Sequence, residues 1–182
     1  ALLYRLSSLP PLILLNKEKA IRASVANLST YSKDPTIYES KWHHILYLNE
    51  MKKTAFIKSI KTGIISVDFC RGKALKQPEV LKFVDFAFIS DEDIFMDLAD
   101  MSRFTKKGVL MHYKGGSKFY SQGEMVFEHE VETIDNVNVL GCGDRFASCF
   151  IKNCLSNKTI ENSIIKSHNY ITKILIGEKN SE

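Results

Sequence analysis

Gly141, Gly143 and Asp144 are the residues of this chain whose types and spacing best suit chemistry. They lie in the run from Val137 to Ile151, VNVLGCGDRFASCFI. It reads as a short extended segment that breaks at two glycines and continues as a helix. Phe146, Ala147, Cys149, Phe150, Ile151 and Cys154 recur at helical spacing, so a helix is expected to start close to Asp144. Glycines ahead of a helix leave the backbone bare. The first unpaired N–H groups can then point at an anion, and the helix dipole favours negative charge there. Asp144 sits in the first turn, where a carboxylate is stabilised. Phosphoryl transfer to a hydroxyl needs such a pairing: amides hold the migrating charge and an acid takes the hydroxyl proton. The same four residues also fit an ordinary helix start, with Asp144 as a structural cap.

The elements that must position this turn alternate along the chain. Leu12–Leu15 and Ala20–Ala26 form a candidate hairpin joined by Asn16–Lys19, and Ser32–Pro35 reads as a loop. Ile45–Leu48 is expected as a buried strand, followed by a helix from about Glu50 to Lys61 that Gly63 closes. Ile64–Val67 is the next strand and ends on Asp68. A helix around Pro78–Phe83 leads to the strand Phe86–Ile89. Asp91, Glu92 and Asp93 then open a helix towards Phe104, and Gly108–Tyr113 is a further strand. Lys118–Tyr120 and Met125–Phe127 flank Ser121–Glu124, with Gly123 able to take positive φ, as a second hairpin. Asn162–Ile176 is a last amphipathic helix. Near-continuous apolar strands separated by helices mean an α/β fold with a mostly parallel sheet covered on both faces. Ligands in such sheets bind at the carboxyl ends of strands. Asp68, the acidic cluster after Ile89 and the glycine turn before Asp144 all fall there.

At 182 residues the chain is one domain by length, and 45% apolar with 25% charged residues is the composition of a soluble globular protein. The net charge of +4 suits small anions as well as a merely solvated surface, and no dense Lys/Arg block argues for nucleic acid. The four cysteines, Cys70, Cys142, Cys149 and Cys154, follow neither a zinc nor a disulfide spacing, which points to reduced thiols and a cytoplasmic protein. The longest apolar run, Leu9–Leu15, contains Pro10 and Pro11 and is too short to span a bilayer, and no secretory signal is visible. His43, His44, His112, His129 and His168 lack metal-ligand spacing, and structural roles are expected for them. Trp42, beside a strand, is expected in the core.

Gly141-Cys142-Gly143-Asp144-x-Phe146 resembles the C-terminal signature of the ribokinase-like (PfkB) carbohydrate kinases, Asp-Thr-x-Gly-Ala-Gly-Asp-x-Phe. Ile65–Arg71 is similar to that family's strand ending in Asp-Pro-Asn. Asp85–Asp93 resembles its Asp-x-x-Asn-x-x-Glu segment, Val109–Ser117 its Thr-x-Gly-x-x-Gly segment, and His168-Asn169 its Ala-Asn pair near the nucleotide base. The resemblance covers most of Ile45–Gly177 in order. Trp42–Ile45, Ser90-Asp91 and Leu140 resemble the ketohexokinase (fructokinase) branch. It implies a ribokinase-like three-layer sandwich, ATP and Mg²⁺ as cofactors and a sugar as substrate. It further implies Asp144 as catalytic base over a backbone anion hole at Gly141, Cys142 and Gly143. Asp68, Tyr113, Gly116 and Asn169 would then face the nucleotide, and Asp93 would organise Mg²⁺ through water. A homodimer, with neither nucleic acid nor membrane as partner, is the implied assembly.

The chain departs from that pattern at several positions. Asn138 and Val139 replace the Asp and Thr of the signature, which help hold a monovalent cation in relatives. Ser90 and Asp93 replace Asn and Glu, Met111 and Tyr113 replace the Thr and Gly that approach the phosphates, and Cys70 replaces an Asn. A Tyr at position 113 is expected to crowd the nucleotide. The sugar-binding Asp, the Gly-Gly-Asn motif and most of the lid of the family's N-terminal half have no counterpart. Residues 1–30 are therefore read as a lid remnant and residues 31–182 as the C-terminal nucleotide-binding and catalytic half. Two other readings stay open: a kinase-like binding module without activity, and a different Rossmann-like protein, for which no Gly-x-Gly-x-x-Gly follows an early strand.

Overall fold

In the computed structural model of the chain seven strands form one sheet, in the order β1 (Leu2–Tyr4), β4 (Trp42–Ile45), β5 (Ile64–Asp68), β6 (Phe86–Ser90), β7 (Gly108–Tyr113), β8 (Gly116–Ser121) and β9 (Glu124–Glu130). Residues 40–51, 54–70 and 74–179 are described, together with the backbone of three strands nearer the start. Those three are β1 (Leu2–Tyr4), which runs parallel to β4, and β2 (Leu12–Asn16) and β3 (Ile21–Val25), which pair antiparallel as the expected hairpin. The linker 17–20, the loop 32–35, the prolines at 10 and 11, and Arg71 lie outside the described residues. So does most of the segment 1–30 read as a lid remnant.

The central strands β4 (Trp42–Ile45), β5 (Ile64–Asp68), β6 (Phe86–Ser90) and β7 (Gly108–Tyr113) are parallel. Two antiparallel strands, β8 (Gly116–Ser121) and β9 (Glu124–Glu130), complete the sheet. Their two-residue turn has positive φ at both central residues, Gln122 (53°) and Gly123 (91°), the geometry that matches strand twist in a tight hairpin. Side chains alternate between faces. On one face Trp42, Phe86, Phe88, Leu110 and Phe119 pack against Phe146 and Phe150 of α2 (Cys142–Leu155) and Ile164 of α3 (Ile160–Lys179). On the other, Ile45, Ile65, Val67, Ala87, Ile89 and Val109 meet Leu98 and Met101 of α1 (Leu98–Phe104) and the 3₁₀ turns that precede it. The expected α/β sandwich, sheet between two covering layers, is the observed fold.

Three sequence expectations are corrected. The strand expected over Ile45–Leu48 lies earlier, at Trp42–Ile45, and shares only Ile45 with that expectation, because Tyr47 adopts a left-handed conformation (φ 57°) and Leu48–Glu50 forms a 3₁₀ turn. The helix expected from Glu50 to Lys61 is instead extended at Met51 and a 3₁₀ turn over Ala55–Ser59. Leu48, Met51, Thr54 and Ile57 are the buried positions of this stretch. Their spacing of three aligns side chains in a three-residue turn, not an α-helix. The helix expected from Asp91 divides into a 3₁₀ turn (Asp91–Asp93) and α1, because Asp97 caps the latter by accepting from the Asp100 amide at 2.8 Å.

The amino ends of the strands are clamped by Asp85. Its carboxylate accepts from the Ile65 amide at 2.9 Å, and its carbonyl accepts from Lys107 and Gly108 at 3.0 and 3.1 Å. The opposite, carboxyl end is left for a site.

Candidate functional site

Because α2 crosses one face of the sheet, the polar residues of that face at the carboxyl end lie beneath its first turn. Register places Ser90 of β6 beside His112 of β7, His112 beside Ser117 of β8, and Ser117 beside His129 of β9. One polar row thus crosses four strands. His168 of α3 closes over it, its Nε2 lying 2.9 Å from Ser117 Oγ. Burial, with His129 and His112 adding, pushes the His168 imidazole down to about 4.

The glycine turn sits above this row. Gly141 caps α2 with φ 78° and ψ 5°, a conformation that glycine adopts without strain, and a Cβ there would meet nothing within 4 Å. That open side is where an anion can approach. The turn is held from within. Asn138 Oδ1 accepts from the Leu140 amide at 3.0 Å, and the Arg145 amide donates to Gly141 O at 3.0 Å. The Cys142 amide, one of three expected to face an anion, donates to Val139 O at 3.1 Å. At Gly143 a Cβ would lie 3.1 Å from His112 Cε1 and 3.3 Å from its Nε2, so the helix start and the imidazole are in close approach.

Three carboxylates share one electrostatic neighbourhood. Asp68, at the end of β5, is buried, and its Oδ1 accepts from the Phe69 amide at 2.8 Å. Burial pushes its carboxyl well above the usual range; the charge of Asp144 adds to this, the Phe69 amide opposes it and Asp93 adds further. Asp144 is exposed on α2 and Asp93 half-buried after β6. The loop leaving β5 is pinned by Asn49, which donates to Cys70 O at 2.6 Å and accepts from Cys70 N at 3.2 Å. A carboxyl whose folded pKa is raised stabilises the protein fully only below the ordinary 3.8, and that stability is lost as pH rises towards the folded value. Asp68→Asn is therefore expected to raise the melting temperature at pH 7 and leave it unchanged near pH 3.8. Each 1 kcal/mol relieved should read as about 2–4 °C. Thermal melts at both pH values decide it; a lower melting temperature at pH 7 would contradict the reading.

The remaining sequence candidates flank this centre. Tyr113 ends β7, but its ring packs on the α1 side, the opposite face from His112, and its hydroxyl donates to Glu128 Oε1 at 3.4 Å. The crowding expected of Tyr113 therefore does not fall on the face of the glycine turn. Gly116 opens β8, where a Cβ would lie 2.1 Å from His129 O, so close strand packing demands glycine. Asn169 is exposed on α3, next to His168. The sequence reading missed Asn49, Ser117 and the packing of His112 and His168. A signal existed for the histidines: His112 and His129 fall on the same alternation as Leu110 and Phe127. Among the described residues no three His, Cys, Asp or Glu side chains converge closely enough to hold a metal ion, and no helix is long and apolar enough to cross a membrane.

No family model matches this sequence, and no curated protein matches it. Solved structures do. Ribokinase from Thermotoga maritima superposes with a TM-score of 0.67 at 14% identity, over 86% of this chain and 60% of that one. Adenosine kinase from Schistosoma mansoni, in complex with 2-fluoroadenosine, gives 0.63 at 14% identity, over 90% and 61%. A ribokinase II of E. coli in complex with ATP and Mg²⁺ gives 0.59 at 19% identity, over 79% and 58%. The chain therefore has the ribokinase-like fold and spans about three fifths of the length of these kinases.

Proposed function

We propose that this chain is the nucleotide-binding and catalytic portion of an ATP-dependent kinase acting on the hydroxyl of a sugar or related alcohol, a nucleoside ribose included. The observation that supports this best is the junction of an open glycine turn at the start of α2 with the Asp144 carboxylate on that same turn. Asp144 is exposed, so it can meet a substrate hydroxyl and take its proton. The amides around Gly141 and Gly143 would face the transferred phosphoryl group. Bound ATP with Mg²⁺ would supply that group and neutralise its charge. Mg²⁺ is commonly held by one or two carboxylates plus substrate phosphates, and Asp93, half-buried after β6, would supply such a carboxylate. A second reading, a nucleotide-binding module without turnover, is favoured by the chain's partial coverage of the kinases.

A calorimetric titration of ATP with and without Mg²⁺, paired with ADP release over a panel of sugars and nucleosides, separates these readings. The kinase reading expects saturable, Mg²⁺-dependent binding and ADP release with at least one acceptor. Binding without release from any acceptor leaves the second reading. No binding overturns both.

A further inference from the structure

We propose that His112 is the positioning residue of the glycine turn, setting the height and tilt of the α2 start over the carboxyl end of the sheet. The proposal rests on the kinase reading only for what the turn binds. Its geometric basis is the imidazole wedged against Gly143, with 3.1 and 3.3 Å to a would-be Cβ. A Cβ at Gly143 would need the ring to give by a few tenths of an ångström, so the approach of α2 to the imidazole relies on glycine at this position.

The ring is itself braced from several elements. Phe146, one helical turn beyond Gly143, lies tilted against it at 5.9 Å between centroids. Phe146 in turn packs on His168 at 4.8 Å, and His168 on His129 at 5.4 Å. His168 Nε2 reaches Ser117 Oγ, and Ser117 is the register partner of both His112 and His129. Strands β7, β8 and β9 and helices α2 and α3 therefore meet around one ring. An apolar side chain of similar size would fill the space. His112 however stays half-exposed at the rim, where a polar ring keeps its contact with water and helix together.

The test is a double-mutant cycle on His112→Ala and Gly143→Ala, with His112→Gln as the conservative variant. Backbone amide resonances of residues 141–145 and calorimetric binding of inorganic pyrophosphate are the readouts. His112→Ala is expected to shift the amides of this turn alone and weaken pyrophosphate binding by about tenfold, the equivalent of one hydrogen bond to a charged group. His112→Gln should restore most of the affinity. Gly143→Ala should perturb the parent but be tolerated in His112→Ala, because alanine otherwise favours a helix. Independent effects in the cycle, or shifts spread over the whole sheet, would overturn the proposal. Should the parent itself fail to bind pyrophosphate, the kinase reading falls, while coupled amide shifts would still establish His112 as the brace.

Discussion

Asp144→Asn is expected to lower turnover by about 10³-fold, in the range a positioned general base contributes, while nucleotide affinity stays within a few fold. The two effects separate because the carboxylate and the amides do different things. The asparagine side chain keeps the size of Asp144 and its place on the first turn of α2, so the backbone around Gly141 and Gly143 is undisturbed. It removes the one group on that turn able to accept a hydroxyl proton. Asp144 also adds to the pressure on buried Asp68. Neutralising it should therefore not lower the melting temperature at pH 7 and should raise it if anything. Steady-state ADP release, calorimetry with ATP and a thermal melt on the same preparation check all three. If nucleotide affinity and melting temperature both collapse, Asp144 is a structural cap of α2 and the kinase assignment loses its base. If turnover persists within a few fold, proton removal lies elsewhere.

Strands β5, β6 and β7, the β8–β9 hairpin, the glycine turn and the fold class were legible in the sequence because each carries a local signal. β5, β6 and β7 are apolar runs bounded by charge or glycine. The Gln122-Gly123 turn announces its hairpin, and Gly141 its cap. The errors fall where local signals compete. Leu48–Ile57 is apolar enough for a helix, but its buried positions recur every three residues, and core packing against Val80 and Leu81 selects the tighter turn. Asp91 and Asp97 are both helix-start residues, and only the second precedes the apolar pair Leu98 and Met101 that the core takes up. The site divides in the same way. Asp68, Asp93 and Asp144 could be named from strand ends and helix starts. The contact of His112 with Gly143 could not, since it depends on the angle at which α2 crosses the sheet. No pattern within β7 encodes that angle.

The protein is expected to lose about 3 kcal/mol of stability to His44 alone as pH falls from 6.5 to 4, because burial lowers that imidazole from the ordinary 6.5 to about 4. The structural reason lies in what surrounds the two ring nitrogens. Trp42 Nε1–H donates to Ser66 Oγ at 2.8 Å, and His44 Nδ1 lies 2.8 Å from the same oxygen. His44 Nε2 is buried without a hydrogen-bond partner among the described residues. An imidazolium must carry a proton on both nitrogens, so the charged ring would bury an unsatisfied Nε2–H in a cation edge-on to Phe88 at 5.6 Å between centroids. A base with a depressed folded pKa takes up more protons unfolded than folded between the two values. Stability is then full above 6.5 and drains as pH falls towards 4. His168, also lowered to about 4, acts in the same direction. The raised carboxyl of Asp68 acts against both, so Asp68→Asn is the background in which the histidine slope is cleanest. Urea unfolding at pH 7 and pH 4.5 should show the loss in that background, and His44→Gln should flatten most of it. An unchanged slope in His44→Gln would mean that the ring is hydrated when folded. The Trp42–Ser66–His44 chain would then be no acid-sensitive joint between β4 and β5.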